Sequence, residues 1–484
     1  MEIIKIYKKD EVWIKVDCEP STAQEISDHF TFMVPGYTFM PTYRNRIWDG
    51  KIRLFSVHTH LLYGGLFDHL CKFLYVRDFK VKFESNFEVK KIEISDQFIQ
   101  SLKLPDRVQP RDYQFSAINH ALSCHRTLLL SPTASGKSLI IYILVRYLRL
   151  KTLILVPTIS LVSQMYNDFR EYGWDVANNC HTVFAGRDKG SKLPVIISTW
   201  QSIYKMKQEY FEQYELVIGD EAHGFKSRSL TSIMTKCVNA KYRIGTTGTL
   251  DGTQTHKWVL EGLFGKVYKV TSTKKLIDSK YLSPFTIKAI LLRHPDSICH
   301  DLRKISYQEE LEYLITSEAR NNFIKNLVLD LNTNTLLLFR FVEKHGRILY
   351  DMIRENTNDN NRKVFFVFGG TASDTREQIR SIVERETNSI IVASYGVFSV
   401  GINIRNLHNI VFASPSKSRI RNLQSIGRGL RKTSEKNIAT LYDIADDLSY
   451  GSNHNYTLDH FEERKKIYEE EKFNCAIYKV QLKT

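Results

Sequence analysis

The chain has 484 residues, 43% of them hydrophobic and 25% charged, with a formal net charge of +15. That composition excludes a disordered chain, and at roughly 150 residues per domain the length calls for about three domains. The basic excess suggests a polyanion as partner, nucleic acid or an anionic membrane, with plain solubility as the alternative.

Residues 1 to about 85 read as short strands with one helix. Asp49-Gly50 is a two-residue hairpin signal; a type I′ turn there pairs Trp48 with Lys51, Ile47 with Ile52 and Arg46 with Arg53. Arg46, Trp48, Lys51 and Arg53 then share one face, and Ile47, Ile52 and Leu54 pack on the other. Three cations and an indole suit a phosphate backbone with a stacking contact; an exposed ribbon over a half-buried Trp is the alternative. Residues 86–110, interrupted by Pro105 and Pro110, read as a connector.

From Arg111 the chain alternates apolar runs with amphipathic stretches, as buried parallel strands and their helices do. Thr127-Leu130, Thr152-Val156, Val195-Ser198, Leu216-Gly219 and Tyr242-Gly245 are the strands expected of one α/β lobe, 111–270. After a hinge segment, 271–285, a second lobe over 286–455 is expected from Thr335-Phe339, Lys363-Val367, Ser389-Ala393, Asn409-Ala413 and Thr440-Tyr442. The closing segment, 456–484, holds a charged helix from about Leu458 to Phe473, most simply a solvated face.

Strand Thr127-Leu130 runs into Ser131-Pro132-Thr133-Ala134-Ser135-Gly136-Lys137-Ser138 and then an apolar helix. This is the setting of a phosphate-binding loop: backbone N–H groups cradle the phosphates, Lys137 reaches the β and γ phosphates, and Ser138 places its hydroxyl on Mg²⁺. The strict G-x-x-x-x-G-K-[ST] pattern fails at Ser131. The apolar run Leu216-Gly219 ends in Asp220-Glu221-Ala222-His223, which puts two acids at the carboxyl edge of a parallel sheet. Asp220 is positioned to hold Mg²⁺ and Glu221 to polarise the water that attacks ATP. A surface Asp-Glu turn is the alternative for the second element alone. In the second lobe, Gln424-Ser-Ile-Gly-Arg428-Gly-Leu-Arg431 places two arginines three apart, on one face if helical. An arginine supplied there would neutralise charge at the γ-phosphate and make hydrolysis depend on lobe closure.

These residues resemble superfamily-two helicases. The resemblance implies that Arg111 and Gln114 bind the adenine side, and that Pro157-Thr158 and Thr199 with Gln201 follow one strand's phosphates. It places Thr247-Gly248-Thr249 at the coupling motif, with Gly248 a departure. In the second lobe it implies nucleic-acid contacts at Arg340, Gly369 and Ser394, and nucleotide contacts at Gly401 and Gln424.

Val16-Asp17-Cys18-Glu19, the segment Tyr43 to Leu54, Ala393 to Ser399 and Glu471-Lys472-Phe473-Asn474 resemble more narrowly the UvsW-type helicases of tailed phages, end to end. The fold so implied is α/β: two tandem RecA-like doubly wound parallel-sheet lobes behind a small N-terminal α/β module. The activity implied is an ATP- and Mg²⁺-dependent helicase or translocase on branched DNA (Holliday junctions, forks, R-loops) in phage recombination, replication and repair. An RNA helicase of the Asp-Glu-Ala-His class and a DNA-annealing or architectural protein are the competing readings. The scattered cysteines, never C-x-x-C, argue against disulfides and zinc. No apolar run approaches the roughly 18 residues that span a bilayer, so a soluble protein of the host cytoplasm is expected, with a monomer favoured.

Overall fold

The computed structural model describes residues 2–85, 90–250, 252–357, 362–400, 404, 406–414, 418, 423, 425–427 and 438–483. It divides into two compact units, Met1–Ser131 with Gly136–Val270, and Pro132–Ser135 with Thr271–Thr484.

The first unit contains a seven-stranded parallel sheet. From one edge to the other its strands are Cys180–Val183, Val195–Thr199, Thr152–Val156, Leu216–Asp220, Tyr242–Thr247, Arg126–Leu130 and Val267–Lys269. Four central strands are buried at every position, as β-branched and Leu-rich runs require when helices cover both faces. The two edge strands, Cys180–Val183 and Val267–Lys269, were not foreseen; both are short and one is only half-buried. The connector is partly structured: Asp96–Ser101 is helical, and Ile94 and Leu102 join the core of this lobe.

The N-terminal module has two ten-residue helices, Pro20–His29 and Phe67–Val76, where the sequence suggested one. They cover one face of a five-stranded mixed sheet. Trp258, on the first lobe's helix Gln254–Phe264, enters the module's core against His29, Phe30, Phe32 and His69. At Gly65 the two backbones approach so closely that a Cβ would stand 2.0 Å from the Glu261 carbonyl oxygen.

The expected Asp49-Gly50 hairpin is absent. Lys51–Arg53 pairs instead with Thr31–Met33, in the register Thr31↔Arg53, Phe32↔Ile52 and Met33↔Lys51. A type I′ turn needs positive φ at both central residues, and here Gly50 alone has it (φ 78°). Residues 46–48 are consequently not strand, and Ile47, expected inside, is exposed.

The second unit holds another seven-stranded parallel sheet. Its order is Val364–Val367, Ile390–Ser394, Thr335–Phe339, Asn409–Phe412, Ala439–Asp447, Phe285–Arg293 and Asn474–Gln481. All five expected strands are present. Two further strands were not foreseen: Phe285–Arg293, at the expected start of this lobe, and Asn474–Gln481, in the expected C-terminal segment, pair with each other. The charged helix, Tyr456–Glu470, is no solvated face, because it buries Leu458, Phe461, Arg464, Ile467 and Tyr468. Its Arg464 makes a two-pronged ion pair with buried Asp443, which also accepts from the Tyr468 hydroxyl. A guanidinium is tolerated there because the carboxylate repays its lost hydration.

Candidate nucleotide and nucleic-acid sites

Strand order alone assembles the first site. Tyr242–Thr247 lies between Leu216–Asp220 and Arg126–Leu130, with Asp220 beside Thr246 and Thr247 beside Leu130. The loop after Leu130, the two acids after Gly219 and the Thr247 segment therefore leave the same carboxyl edge, where ligands bind in open α/β sheets.

Within the loop, Ala134 (φ 65°) and Gly136 (φ 82°) take left-handed backbone, the alternation that turns successive N–H groups into an anion-binding nest. At Gly136 a Cβ would also lie 2.3 Å from the Gln114 amide, which donates to the Gly136 carbonyl at 3.3 Å. Gln114 is buried, and its Oε1 accepts from the Arg111 N–H at 2.8 Å, so the predicted adenine-side pair sits directly on the loop. Lys137 begins the helix Lys137–Leu148, with a positive helix end behind the phosphate cradle.

Lys137 Nζ stands 3.7 Å from Glu221 Oε1. Glu221 is itself left-handed (φ 51°), a conformation uncommon outside glycine. Glu221 Oε2 lies 3.4 Å from His223 Nδ1, which meets Thr247 Oγ1 at 3.0 Å. Because Thr247 Oγ1 donates onward to the Thr249 carbonyl (3.0 Å), the proton between them belongs to His223 Nδ1. The Ser131 N–H closes the circuit on the Thr247 carbonyl at 2.8 Å. Asp220 is buried and accepts from Thr246 Oγ1 at 2.7 Å. Burial and then the neighbouring Glu221 push its carboxyl above the ordinary range, against the opposing pull of Lys137 and Thr246.

Ser138 and Asp220 offer a hydroxyl and a carboxylate, hard oxygen donors that fit Mg²⁺, and a buried carboxyl raised in this way gains most from a nearby dication. Ser138 Oγ here touches the Tyr172 hydroxyl at 2.9 Å. Three groups of this network, His223, Thr246 and Tyr172, were not picked out as site residues. His223 stood in the motif itself, but its link to Thr247 needs the sheet order.

The strand-tracking residues of the first lobe also come together. Val156 pairs with Thr199, so Pro157-Thr158 and Trp200-Gln201 leave neighbouring strands side by side. Gln201 Nε2 donates to the Pro157 carbonyl at 3.3 Å, and Thr158 caps the helix Ile159–Glu171. Thr199 Oγ1 is buried and bonded to Ser202. In the second lobe Arg340, Gly369 and Ser394 end or follow three adjacent strands on one edge. Arg340 donates to the Tyr307 hydroxyl at 3.0 Å, Gly369 is exposed, and Ser394 is buried. Gly401, Gln424, Arg428 and Arg431 lie outside the described residues.

In the module, Arg46, Lys51 and Arg53 are exposed, and Arg53 forms an ion pair with Asp49. Trp48 is half-buried, and its indole N–H donates to the Lys51 carbonyl at 2.9 Å, which fixes the ring beside these cations.

Two tandem RecA-like lobes, the first with this loop and acid pair, define a helicase-class motor. Residues 107–252 match the family described as "Type III restriction enzyme, res subunit", and residues 3–103 that described as "DNA helicase UvsW, N-terminal". The chain is 34% identical to the "ATP-dependent DNA helicase uvsW" of Enterobacteria phage T4, over 99% of this chain and 100% of that one. It is 25% identical to the "DNA 3'-5' translocase XPB2" of Sulfurisphaera tokodaii, over 72% of this chain and 84% of that one. The crystal structure of T4 UvsW covers 100% of both chains at a TM-score of 0.50 and 32% identity. The chain belongs to the UvsW helicase family. No helix among the described residues is long and apolar enough to cross a membrane.

Proposed function

We propose that this protein is an ATP-dependent DNA helicase or translocase that unwinds or branch-migrates branched DNA: Holliday junctions, forks and R-loops. The observation that carries the reading is the continuous path Lys137–Glu221–His223–Thr247, which joins a phosphate loop and a general base to the segment after strand Tyr242–Thr247. Hydrolysis altered at one end of that path is felt at the other, as a motor needs.

The loop N–H groups and Lys137 bind the phosphates, and Gln114 with Arg111 orients the base. Ser138 and Asp220 would hold Mg²⁺, which when bound neutralises phosphate charge. Glu221 orients water and takes its proton, and His223, in contact with Glu221, donates to Thr247. Arg428 and Arg431 are assigned the completing charge on sequence spacing alone. Pro157, Thr158, Thr199, Gln201, Arg340, Gly369 and Ser394 are assigned to one strand's backbone, and Arg46, Trp48, Lys51 and Arg53 to a duplex arm. The working division is a DNA-binding module (1–85), connector (86–110), ATP-binding lobe (111–270), hinge (271–285), second lobe (286–455) and C-terminal segment (456–484).

The test is phosphate release with and without single-stranded DNA or RNA, together with unwinding of a Y-fork, a four-way junction and an R-loop by one preparation. DNA-stimulated hydrolysis with junction unwinding is expected. Stimulation by RNA alone would favour an RNA helicase, and none at all would overturn the motor reading.

A further inference from the structure

Two helices of the second lobe meet at the carboxyl edge of its sheet. The strands Phe285–Arg293 and Ala439–Asp447 end together, Arg293 beside Asp447, and run parallel to the strand that ends at Phe339. The helices Tyr307–Thr316 and Tyr456–Glu470 follow them. Glu310, buried on the first helix, binds the start of the second. One of its carboxylate oxygens accepts from the Tyr456 N–H at 2.9 Å. The other accepts from the Thr457 N–H at 2.8 Å, the Thr457 hydroxyl at 2.6 Å and the Asn455 amide at 2.9 Å. The two helix starts are thereby locked together, and the N–H groups that an incoming phosphate would need are already taken.

Each helix carries a tyrosine at its first position. Tyr307 and Tyr456 meet edge to face with ring centroids 6.0 Å apart, and His460, one turn along the second helix, meets Tyr307 at 5.4 Å. Tyr456 is nevertheless 48% exposed, although an aromatic ring gains from burial. Arg340 donates to the Tyr307 hydroxyl at 3.0 Å, so this aromatic group adjoins the residue that follows strand Thr335–Phe339. A guanidinium beside an open, rigid ring fits one nucleotide, its phosphate on Arg340 and its base on the ring. Exposed Asp459, three residues beyond Tyr456 on its helix, and exposed Glu309, two beyond Tyr307, would repel a further phosphate; an uncharged base tolerates both.

We infer that Tyr456, backed by Tyr307 and His460, is a stacking platform for a base of the DNA strand whose phosphate Arg340 holds. The inference rests on the DNA-helicase reading and adds a contact to the bases, where the residues assigned there follow the backbone. Every base has a π face, so the platform grips any sequence. Glu310 fixes the rings before DNA arrives, which leaves little ordering to oppose the contact.

The test measures binding of the full chain, without nucleotide, to two labelled strands of equal length by fluorescence anisotropy over a range of salt. One strand is oligothymidylate, and the other carries a run of abasic sites, with the same phosphates and no bases. Tyr456 is exposed at a helix start, so substitutions there spare the core. Tyr456→Ala should bind oligothymidylate roughly tenfold more weakly, the loss of one stacked base. Its affinity for the abasic strand and the slope of log affinity against log salt should not change. Tyr456→Trp should restore binding. Arg340→Ala should instead weaken both strands and lower the salt slope by about one. Equal affinity of wild type and Tyr456→Ala for oligothymidylate, or an equal loss on both strands, would overturn the platform alone. A wild type that binds neither strand would overturn the DNA-motor reading and the platform with it, so the two failures are told apart.

Discussion

Ser131 gives its backbone N–H to the carbonyl oxygen of Thr247 at 2.8 Å, tying the first residue of the phosphate loop to the segment that His223 also grips. Ser131 is fully buried and takes no left-handed φ, so this position does not need glycine. The departure from the strict motif is thus a local substitution that leaves the loop's geometry intact. Ser131→Gly should change kcat by no more than about threefold, the size of a glycine's extra backbone freedom. Steady-state phosphate release checks this, and a loss of a hundredfold would mean the hydroxyl itself takes part.

Glu221 and Lys137 share one ion pair but have different tasks. Glu221→Gln keeps the shape and removes the base, so kcat should fall by on the order of 10²–10⁴ while nucleotide affinity holds. Lys137→Ala should abolish turnover and also weaken nucleotide binding, with DNA binding retained on the separate basic surface. Titration with a fluorescent ATP analogue, set beside phosphate release, separates the two; equal loss of affinity in both variants would refute the division of roles.

Asp220 costs the protein stability in exchange for function. Its carboxyl is raised by burial first and then by Glu221, so the native state binds a proton more tightly than the unfolded chain. Stability from this group is full below the ordinary carboxylate range and is lost as pH rises through the raised value. Asp220→Asn should therefore melt higher than the wild type at neutral pH. The gain should vanish near the ordinary carboxylate range, and turnover should be lost. Melting curves of both proteins across pH check the sign; a variant less stable at pH 7 would contradict it.

The second lobe has an opposite case in Asp446. Burial would raise it, but Arg320 and His294 outweigh burial and hold it down to about 2. Both partners are buried, and Arg320 binds both carboxylate oxygens at 2.9 and 3.0 Å. This stabilisation is present above the ordinary carboxylate range and lost as pH falls toward about 2. Arg320→Ala strands the carboxylate and should cost about 3–5 kcal/mol, read as an earlier denaturant midpoint. Arg320→Ala combined with Asp446→Asn should recover part of it; no recovery would show that packing, not charge, dominates.

Gly65→Ala forces a Cβ against the Glu261 and Gly262 carbonyls, at 2.0 and 2.7 Å. Neither backbone can yield without moving a helix, so the module should loosen from the first lobe while each keeps its own core. Hydrogen exchange should rise around Trp258 and His69, whose rings pack at a tilt 4.6 Å apart. An unchanged exchange pattern would mean the contact gives way more easily than its geometry suggests.

The motor was legible because its strands are buried on both faces and its chemistry sits where those strands end. Leu216–Asp220 announces itself by being apolar until its last residue, and a loop ending in Gly-Lys-Ser after a strand has few other uses. What escaped depends on partners far along the chain. Asn474–Gln481 lies at a sheet edge and is largely exposed, so it has no apolar run to betray it. Arg464 looked like one of many charges on a polar helix until Asp443 was found opposite it. The Asp49-Gly50 dipeptide misled because the strand it begins already has a partner in Thr31–Met33. The cations it was used to assign are nonetheless exposed together.

The strand Phe285–Arg293 has both its neighbours, Ala439–Asp447 and Asn474–Gln481, downstream of the rest of its lobe. On a ribosome it would emerge early and wait, with both edges unpaired, until nearly the whole lobe had followed. The first lobe's strand Arg126–Leu130 meets its partners Tyr242–Thr247 and Val267–Lys269 before the second lobe is made. Synthesis should thus deliver a finished ATP-binding lobe carrying an unfinished companion, whose closure pays a late loop entropy. During that interval the apolar Phe285–Arg293 is the segment of the chain with most need of a chaperone.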